Sequence, residues 1–446
     1  MQARSGGIRW SYWLMTLALC LGTAYFLADE WRHGANFGAG ARHLCIGIEA
    51  FRAEGAPLPG PEMNAVFPYP AAPAAWDLLR PLCQDLAWPQ QFRLGALGVL
   101  LVLIPLVSLC GPGRWRAMGL IEGGGFAFVG FAGFAGAYRS GGGTILTAAL
   151  LGIVIALLFA GAGRVARQRS GDLLFLLAAV VLGTTAALEV LHLPLLLALL
   201  FLPTTGRALV LVLGVGLLAY AAPLVCSWLA YQGLSLYWLH GIWAWTFPAP
   251  AALAGEGQTS LFRMAGAYLD HFPLPQAVDL PLLGHLSLGR IPQYLFYGGM
   301  VASLALLVGG TLACGVARAR QAWPGLCWGA ALRASPWAAV YLCVVVLFVV
   351  LLAMPRLSVE GFFPLAVLVA ILLQALPVYP RALCYLLGVV LPVLGNQPVA
   401  GAGGFLLGGA EQTVAALVCL LIALHHLPAM FAPLPGEAPG SAASGT

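Results

Sequence analysis

Two adjacent carboxylates, Asp29 and Glu30, stand where an apolar segment gives way to a long polar stretch. A carboxylate at the lip of a membrane can act as a general base toward an acceptor hydroxyl while a lipid holds the other reactant nearby. The pair is therefore the first catalytic candidate. The alternative is that it only marks the solvated end of a span.

The polar stretch over residues 29–92 carries seven of the sixteen acidic residues and is too charged to lie in lipid. Apolar residues at helical spacing predict two amphipathic interfacial helices, at 44–51 and 75–86. Each contains one cysteine, and Cys45 and Cys83 are the only two of the ten cysteines in this stretch. We expect a disulfide between them on the oxidising side of the membrane. Two buried free thiols are the alternative.

Two later segments place polar side chains beside apolar spans. GEGQTSLFR (255–263) lies in a second long loop, where amide and hydroxyl groups could bond sugar hydroxyls and a guanidinium could meet a phosphate through two hydrogen bonds. PRLSVEGFFP (355–364) joins two spans with little spare length, and an interface-anchoring arginine beside a glutamate is its plainer interpretation. The predicted binding residues of these segments are Gln258, Ser260, Arg263, Arg356, Ser358 and Glu360.

The composition is that of a helical membrane protein. Of 446 residues, 61% are hydrophobic and 8% are charged, and the mean hydropathy is +0.91. Helices are expected because each span must satisfy its own backbone polar groups. The sequence predicts an all-α integral membrane fold of about twelve transmembrane helices. We expect one domain over residues 1–431 and a disordered cytosolic tail over 432–446.

The predicted spans have uncertain edges, and the sixth is short enough to start below the membrane surface. They cover residues 9–28, 94–110, 117–137, 144–162, 173–189, 193–202, 208–226, 293–314, 337–354, 362–376, 382–395 and 413–431.

The basic residues set the predicted orientation. All 21 are arginine, and most cluster in short loops that fall on one face if the N-terminus is cytosolic. Both termini are then inside, and the loops at 29–92 and 227–290 are extracytoplasmic. The lack of lysine, with abundant Ala, Gly and Leu, is typical of a GC-rich bacterial genome and favours a bacterial inner membrane. No basic block suggests a nucleic-acid partner.

Several stretches together resemble glycosyltransferase family 87. NFGAGARHLCIGIEAFRAEGAPL (36–58) followed by FPYP (67–70) is similar to the first extracytoplasmic loop of that family. GGGTILTAALLG (141–152), GQTSL (257–261) and PRLSVEGFFPLAVL (355–368) follow in the family order. The resemblance implies a GT-C fold, and transfer of mannose or a related sugar from a polyprenyl-phosphate donor to a lipid or glycan acceptor.

The resemblance also implies site residues, with one departure. The family carries its presumed catalytic aspartate where this chain has Asn36, and an amide cannot act as a general base. Either Asp29 or Glu30, about two helical turns earlier, takes that role, or the chain is an inactive or differently acting relative. No metal ligand is assigned, and dependence on a divalent metal stays open. Further expected contacts to substrate come from Asn36, Arg42, His43, Tyr69 and His240.

Two alternatives belong to other classes. Glu122, and Glu189 with His192, are ionisable groups at membrane depth, as in a transporter or translocase of lipid-linked sugar. No inverted repeat links the two halves of the chain, which disfavours that interpretation. A transporter would place a polar cavity at mid-membrane, whereas a GT-C enzyme would place it under the two large loops. A non-catalytic assembly protein is the third class. No P-loop, His-x-x-Glu-His or Cys-x-x-Cys motif supports nucleotide hydrolysis or structural zinc.

Overall fold

The computed structural model describes residues 144–188, 190–230, 291–322, 328–354, 376–391 and 409–431, with positions 261, 264–265, 269, 278–280, 284–286, 365, 368–369 and 372. These residues are almost entirely helical. The helices are α1 (Thr144–Val165), α2 (Asp172–Leu188), a 3-10 helix (Val190–Phe201), α3 (Gly206–Ala230), α4 (Ile291–Ala322), α5 (Trp328–Ala334), α6 (Pro336–Leu352), α7 (Val378–Tyr385), continued by a π-helical segment (Leu386–Val390), and α8 (Gly409–Met430).

The core forms around α6. Fourteen of its seventeen residues are buried, as expected for a helix that is apolar on every side. Its neighbours are the 3-10 helix, α1 and α8. By contrast, most apolar side chains of α3 and α4 are exposed or only partly buried. In a membrane protein that pattern places α3 and α4 at the lipid-facing perimeter and α6 inside.

Four helices are long and apolar enough to cross a membrane, judged by length and composition alone: α1, α3, α4 and α8. Shorter apolar helices stand at 172–187, 192–201 and 336–352. The described part of the chain is therefore a helical membrane-type bundle. The predicted spans between residues 144 and 431 that lie in described stretches agree with these helices to within a few residues, apart from a longer α4. The total of about twelve stays a prediction, because residues 1–143 lie outside the described residues.

Side-chain contacts fix which helix ends lie together. Thr204, two residues before α3, donates from Oγ1 to Oδ1 of Asp172 at 2.5 Å, so α2 and α3 begin at the same end of the bundle. The rings of Phe159, late in α1, and Trp337, at the start of α6, lie 6.2 Å apart. The end of α1 therefore meets the start of α6 on that same side.

The C-terminal half of the bundle joins this end through Phe431. Ser335 donates from Oγ to the carbonyl oxygen of Phe431 at 3.5 Å, and a Cβ atom at Gly315 would stand 2.7 Å from the Phe431 ring. Late α4, the start of α6 and the end of α8 therefore converge. We call this side the arginine end, and it carries Arg164, Arg167, Arg169, Arg207, Arg318, Arg320 and Arg333.

The opposite side is called the polar end below. It holds the starts of α1, α4 and α8, the end of α6, and the junction of α2 with the 3-10 helix. Tyr297, in the second turn of α4, donates a hydrogen bond to the carbonyl oxygen of Ala353, directly after α6. That contact shows that α4 and α6 run antiparallel.

The short predicted span at 193–202 is a 3-10 helix of 12 residues containing Pro194. At about 2.0 Å rise per residue such a helix reaches roughly 24 Å, against about 18 Å for an α-helix of equal length. Runs of this length are uncommon. The tighter winding lets a short apolar segment connect the polar end to the arginine end.

Two details depart from the predicted second loop at 227–290. Helix α3 continues to Ala230, four residues past the predicted span. A short antiparallel pair, β1 (Val278–Leu280) and β2 (Gly284–Leu286), sets Asp279 opposite His285. The sequence does not predict these strands, because three residues are too few to give an alternating pattern.

Candidate functional site at the polar end

Buried polar side chains collect at one end of the bundle. Apart from Tyr and Cys, eight described polar residues are buried, and two of them, Thr204 and Ser335, belong to the arginine end. The other six lie within about five residues of the polar-end terminus of their helix. These six are Thr147, Thr185, His192, Gln293, Gln412 and Thr413.

Burying such groups is unfavourable unless they are paired. The one ionisable residue among them, His192, is a functional candidate by default in an apolar helix. Thr185 donates its hydroxyl to the carbonyl oxygen of Val181 at 2.7 Å. Gln293, Gln412 and Thr413 each make a further interaction. The polar end therefore holds a layer of buried polar side chains above an apolar core.

Tyr297 links the start of α4 to the end of α6 by a hydrogen bond. The last carbonyl groups of an α-helix have no intrahelical donor, and the Tyr297 hydroxyl supplies one to Ala353. Tyr297 is partly buried, so the bond is partly shielded from solvent. The segment that leaves α6 after Met354 therefore starts from a position fixed against α4.

An open groove runs along α4 beside the polar end. Its volume is about 550 Å³ and its walls are almost wholly apolar. The floor is built from α4 residues between Leu295 and Leu307, with Gly299 and Ser303 keeping it open. Leu261, from the 227–290 stretch, and Leu417, from α8, close its sides. Leu261 is fully buried and belongs to the core.

The residues assigned to the site from sequence lie outside the described residues. The two proposed bases and the eleven proposed binding residues all belong to this group, as do Cys45, Cys83, Glu122 and Glu189. They are Asp29, Glu30, Asn36, Arg42, His43, Tyr69, His240, Gln258, Ser260, Arg263, Arg356, Ser358 and Glu360.

Two of these positions are close in sequence to described anchors. Arg263 follows the buried Leu261 by two residues, and Arg356 follows Ala353 by three. Both anchors contact the first half of α4, through the groove and through Tyr297 respectively. The structure thus places the two anchors against one helix.

Tyr297, Gln293 and Gln412 are not among the site residues predicted from the sequence. The signal that could identify them is a polar side chain in the first turns of an apolar helix. His192 is buried, as its apolar surroundings suggest. His425 is exposed and packs edge-on against His426 at 5.1 Å between ring centroids. Among the residues described, no three His, Cys, Asp or Glu side chains converge as metal ligands.

Comparisons of the chain with family models, with curated proteins and with solved structures found no match.

Proposed function

We propose that this protein is a GT-C-type membrane glycosyltransferase that moves a mannose-like sugar from a polyprenyl-phosphate donor to an extracytoplasmic lipid or glycan acceptor. The observation that carries the proposal is the segregation of the described buried polar side chains, six of eight of which lie at the polar end. A site that handles a lipid-linked polar substrate needs a polar layer at one membrane surface.

The placement of the arginines supports one orientation of this layer in the membrane. Seven arginines mark the opposite end of the bundle, and short arginine-bearing loops are retained on the cytosolic side. The polar end is then extracytoplasmic, on the side of the loops at 29–92 and 227–290. In the proposed topology the protein lies in a bacterial inner membrane and both termini are cytosolic.

Two candidate phosphate-binding arginines, Arg263 and Arg356, follow described positions within two or three residues of the chain. Chain connectivity keeps Arg263 within about 7 Å of Leu261 and Arg356 within about 11 Å of Ala353, counted from Cα to Cα. Both anchors lie against α4. Two guanidinium groups on one donor phosphate would bind it more firmly than either alone, because each can form paired hydrogen bonds.

The groove along α4 suits the hydrocarbon part of such a donor. It is apolar and open, and its volume is in the range of ligand pockets. In a membrane an open apolar groove is filled by lipid chains. A polyprenyl chain lying there would bring its phosphate toward the polar end.

The transporter alternative requires a polar path through the middle of the bundle. In the described helices the buried side chains of the middle turns are apolar, apart from cysteines and Tyr341 in α6. Ser303 and Thr311 of α4 and Tyr220 of α3 lie in middle turns but are not buried. This distribution favours a surface site over a transmembrane pathway. A catalytically inactive relative would have the same fold. The first experiment below distinguishes it from an active enzyme.

The first experiment is transfer of radiolabelled mannose from polyprenyl phosphate by the purified protein in vesicles. We expect transfer that falls by about 10²-fold or more in Asp29→Asn or Glu30→Gln, the usual contribution of a general base. Arg263→Gln and Arg356→Gln should raise KM for the donor. Binding of the donor without transfer would identify an inactive relative, and unidirectional flux of the donor across the vesicle would favour the translocase.

The second experiment isolates the groove. Gly299→Leu fills it, whereas Gly309→Leu adds the same side chain on α4 outside its lining; both glycines have open space beside them. We expect Gly299→Leu to raise KM for the polyprenyl donor by about tenfold, the scale of a misfitted apolar group. Gly309→Leu should leave KM unchanged. Equal effects of the two variants would place the lipid chain elsewhere.

A further inference from the structure

A group of charged residues lies at the arginine end of the bundle, away from the proposed site. Arg164 is in the last turn of α1, Arg167 and Arg169 are in the turn to α2, and Arg207 is in the first turn of α3. All four are exposed. We call these four residues the basic patch.

Hydrogen bonds hold the patch in one arrangement. Arg164 donates from Nε to the carbonyl oxygen of Ser170 at 2.7 Å, which folds the turn back on α1. Ser170 donates from Oγ to Oδ2 of Asp172 at 3.0 Å. Thr204 donates to the other carboxylate oxygen and so joins the start of α3 to the same turn. Gln168 adopts a φ of 57° within this turn, a conformation that surrounding contacts must stabilise.

This hydrogen-bond network also determines which charged groups are exposed at the surface. Asp172 is the acidic residue of the turn, and both of its oxygens accept hydrogen bonds from hydroxyl groups. Asp172 is partly buried, whereas the four arginines are exposed. The outward surface is therefore strongly positive over a small area.

Directly beside the patch the surface becomes apolar. Leu173, which follows Asp172, is 70% exposed, and Val210 and Leu211, one turn into α3, are 71% and 57% exposed. A positive rim next to exposed branched side chains matches a molecule with an anionic head and hydrocarbon tails. Gly206 has open space where a side chain would stand, which leaves room between the rim and the apolar surface.

We propose that the basic patch is a binding site for one anionic phospholipid of the surrounding leaflet. The lipid phosphate pairs with the guanidinium groups of Arg167, Arg169 and Arg207, and the acyl chains lie on Leu173, Val210 and Leu211. Guanidinium groups suit this role because they bond phosphate oxygens in pairs. Basic pockets between membrane helices recognise anionic headgroups in this way. The site is independent of the proposed transfer reaction.

The test measures binding of fluorescent phosphatidylglycerol and phosphatidylcholine to the purified full-length protein in a neutral detergent. The unmodified protein should bind phosphatidylglycerol at least tenfold more tightly than phosphatidylcholine, and added salt should reduce that preference. Glycerol phosphate, which carries the head without tails, should compete only weakly. Equal affinity for the two lipids would overturn the proposal, and full competition by glycerol phosphate would reassign the patch to a soluble anion.

A matched pair of variants separates the patch from general positive charge. Arg167→Gln/Arg207→Gln removes two charges from the patch, and Arg318→Gln/Arg333→Gln removes two from elsewhere at the arginine end. We expect the first variant to lose roughly fivefold in phosphatidylglycerol affinity per arginine and the second to change less than about twofold. Similar losses in both variants would show that diffuse charge, not this site, attracts the lipid.

Discussion

Gly183 in α2 faces the carbonyl oxygen of Gly216 in α3, with no room between them for a methyl group. A Cβ atom at position 183 would overlap that oxygen and would stand 2.8 Å from the Cβ atom of Ala219. Small residues allow membrane helices to approach this closely, and dispersion attraction between the two backbones replaces the hydrophobic drive that lipid does not provide. The close approach fixes α3, the carrier of Arg207, against α2.

The first prediction tests this packing of α2 on α3. Gly183→Ala forces the backbones of α2 and α3 apart and should cost about 1 to 3 kcal/mol of stability, as overpacking does. Gly214→Ala is the control, because that position of α3 is open; it should be neutral or slightly stabilising. Thermal unfolding in detergent, followed by size-exclusion chromatography, measures both. A Gly183→Ala protein as stable as the control would contradict the close approach.

The second prediction concerns the Tyr297 tether. Tyr297→Phe removes the hydrogen bond to Ala353 while keeping the ring, and should cost about 1 kcal/mol of stability. If the tether positions Arg356, KM for the polyprenyl donor should rise as well. Tyr379→Phe is the matched control, since Tyr379 is 89% exposed. A loss of stability without any change in KM would limit the tether to a structural role.

The third prediction addresses the catalytic carboxylate. Asn36→Asp restores a carboxylate at the position where the resembled family has its presumed base. If Asn36 marks a lost base, this change should raise the rate of sugar transfer, since a positioned general base contributes about 10²- to 10⁴-fold. The radiolabel assay measures the change. No gain, together with loss of activity in Asp29→Asn, would assign the role to Asp29.

The fourth prediction is a disulfide between Cys45 and Cys83. The bond would join the two predicted interfacial helices across the proline-rich stretch at 57–73 that separates them. On the chain-entropy model, closing this loop stabilises it by about 3 to 4 kcal/mol, less any strain. Alkylation under non-reducing conditions should leave both cysteines unmodified and should modify both after reduction. Complete modification before reduction would show two free thiols.

Much of the helical layout follows from local sequence. Apolar runs predict α1, α2, α3, α6 and α8 to within a few residues, because a membrane span is defined by hydropathy over its own length. Arginine placement likewise predicts which helix ends share a face. The contacts of Asp172 with Thr204 and of Ser335 with Phe431 bring those ends together.

The candidate site depended on tertiary structure instead. Tyr297 and Ala353 are 56 residues apart, and nothing in either local sequence identifies the other. The groove combines Leu261, α4 and Leu417 from three separate stretches. The 3-10 winding of residues 190–201 is also invisible to an apolar pattern that suits several helix types. Hydropathy acts within one segment and so determined where helices form, whereas packing between distant segments decided which polar groups meet.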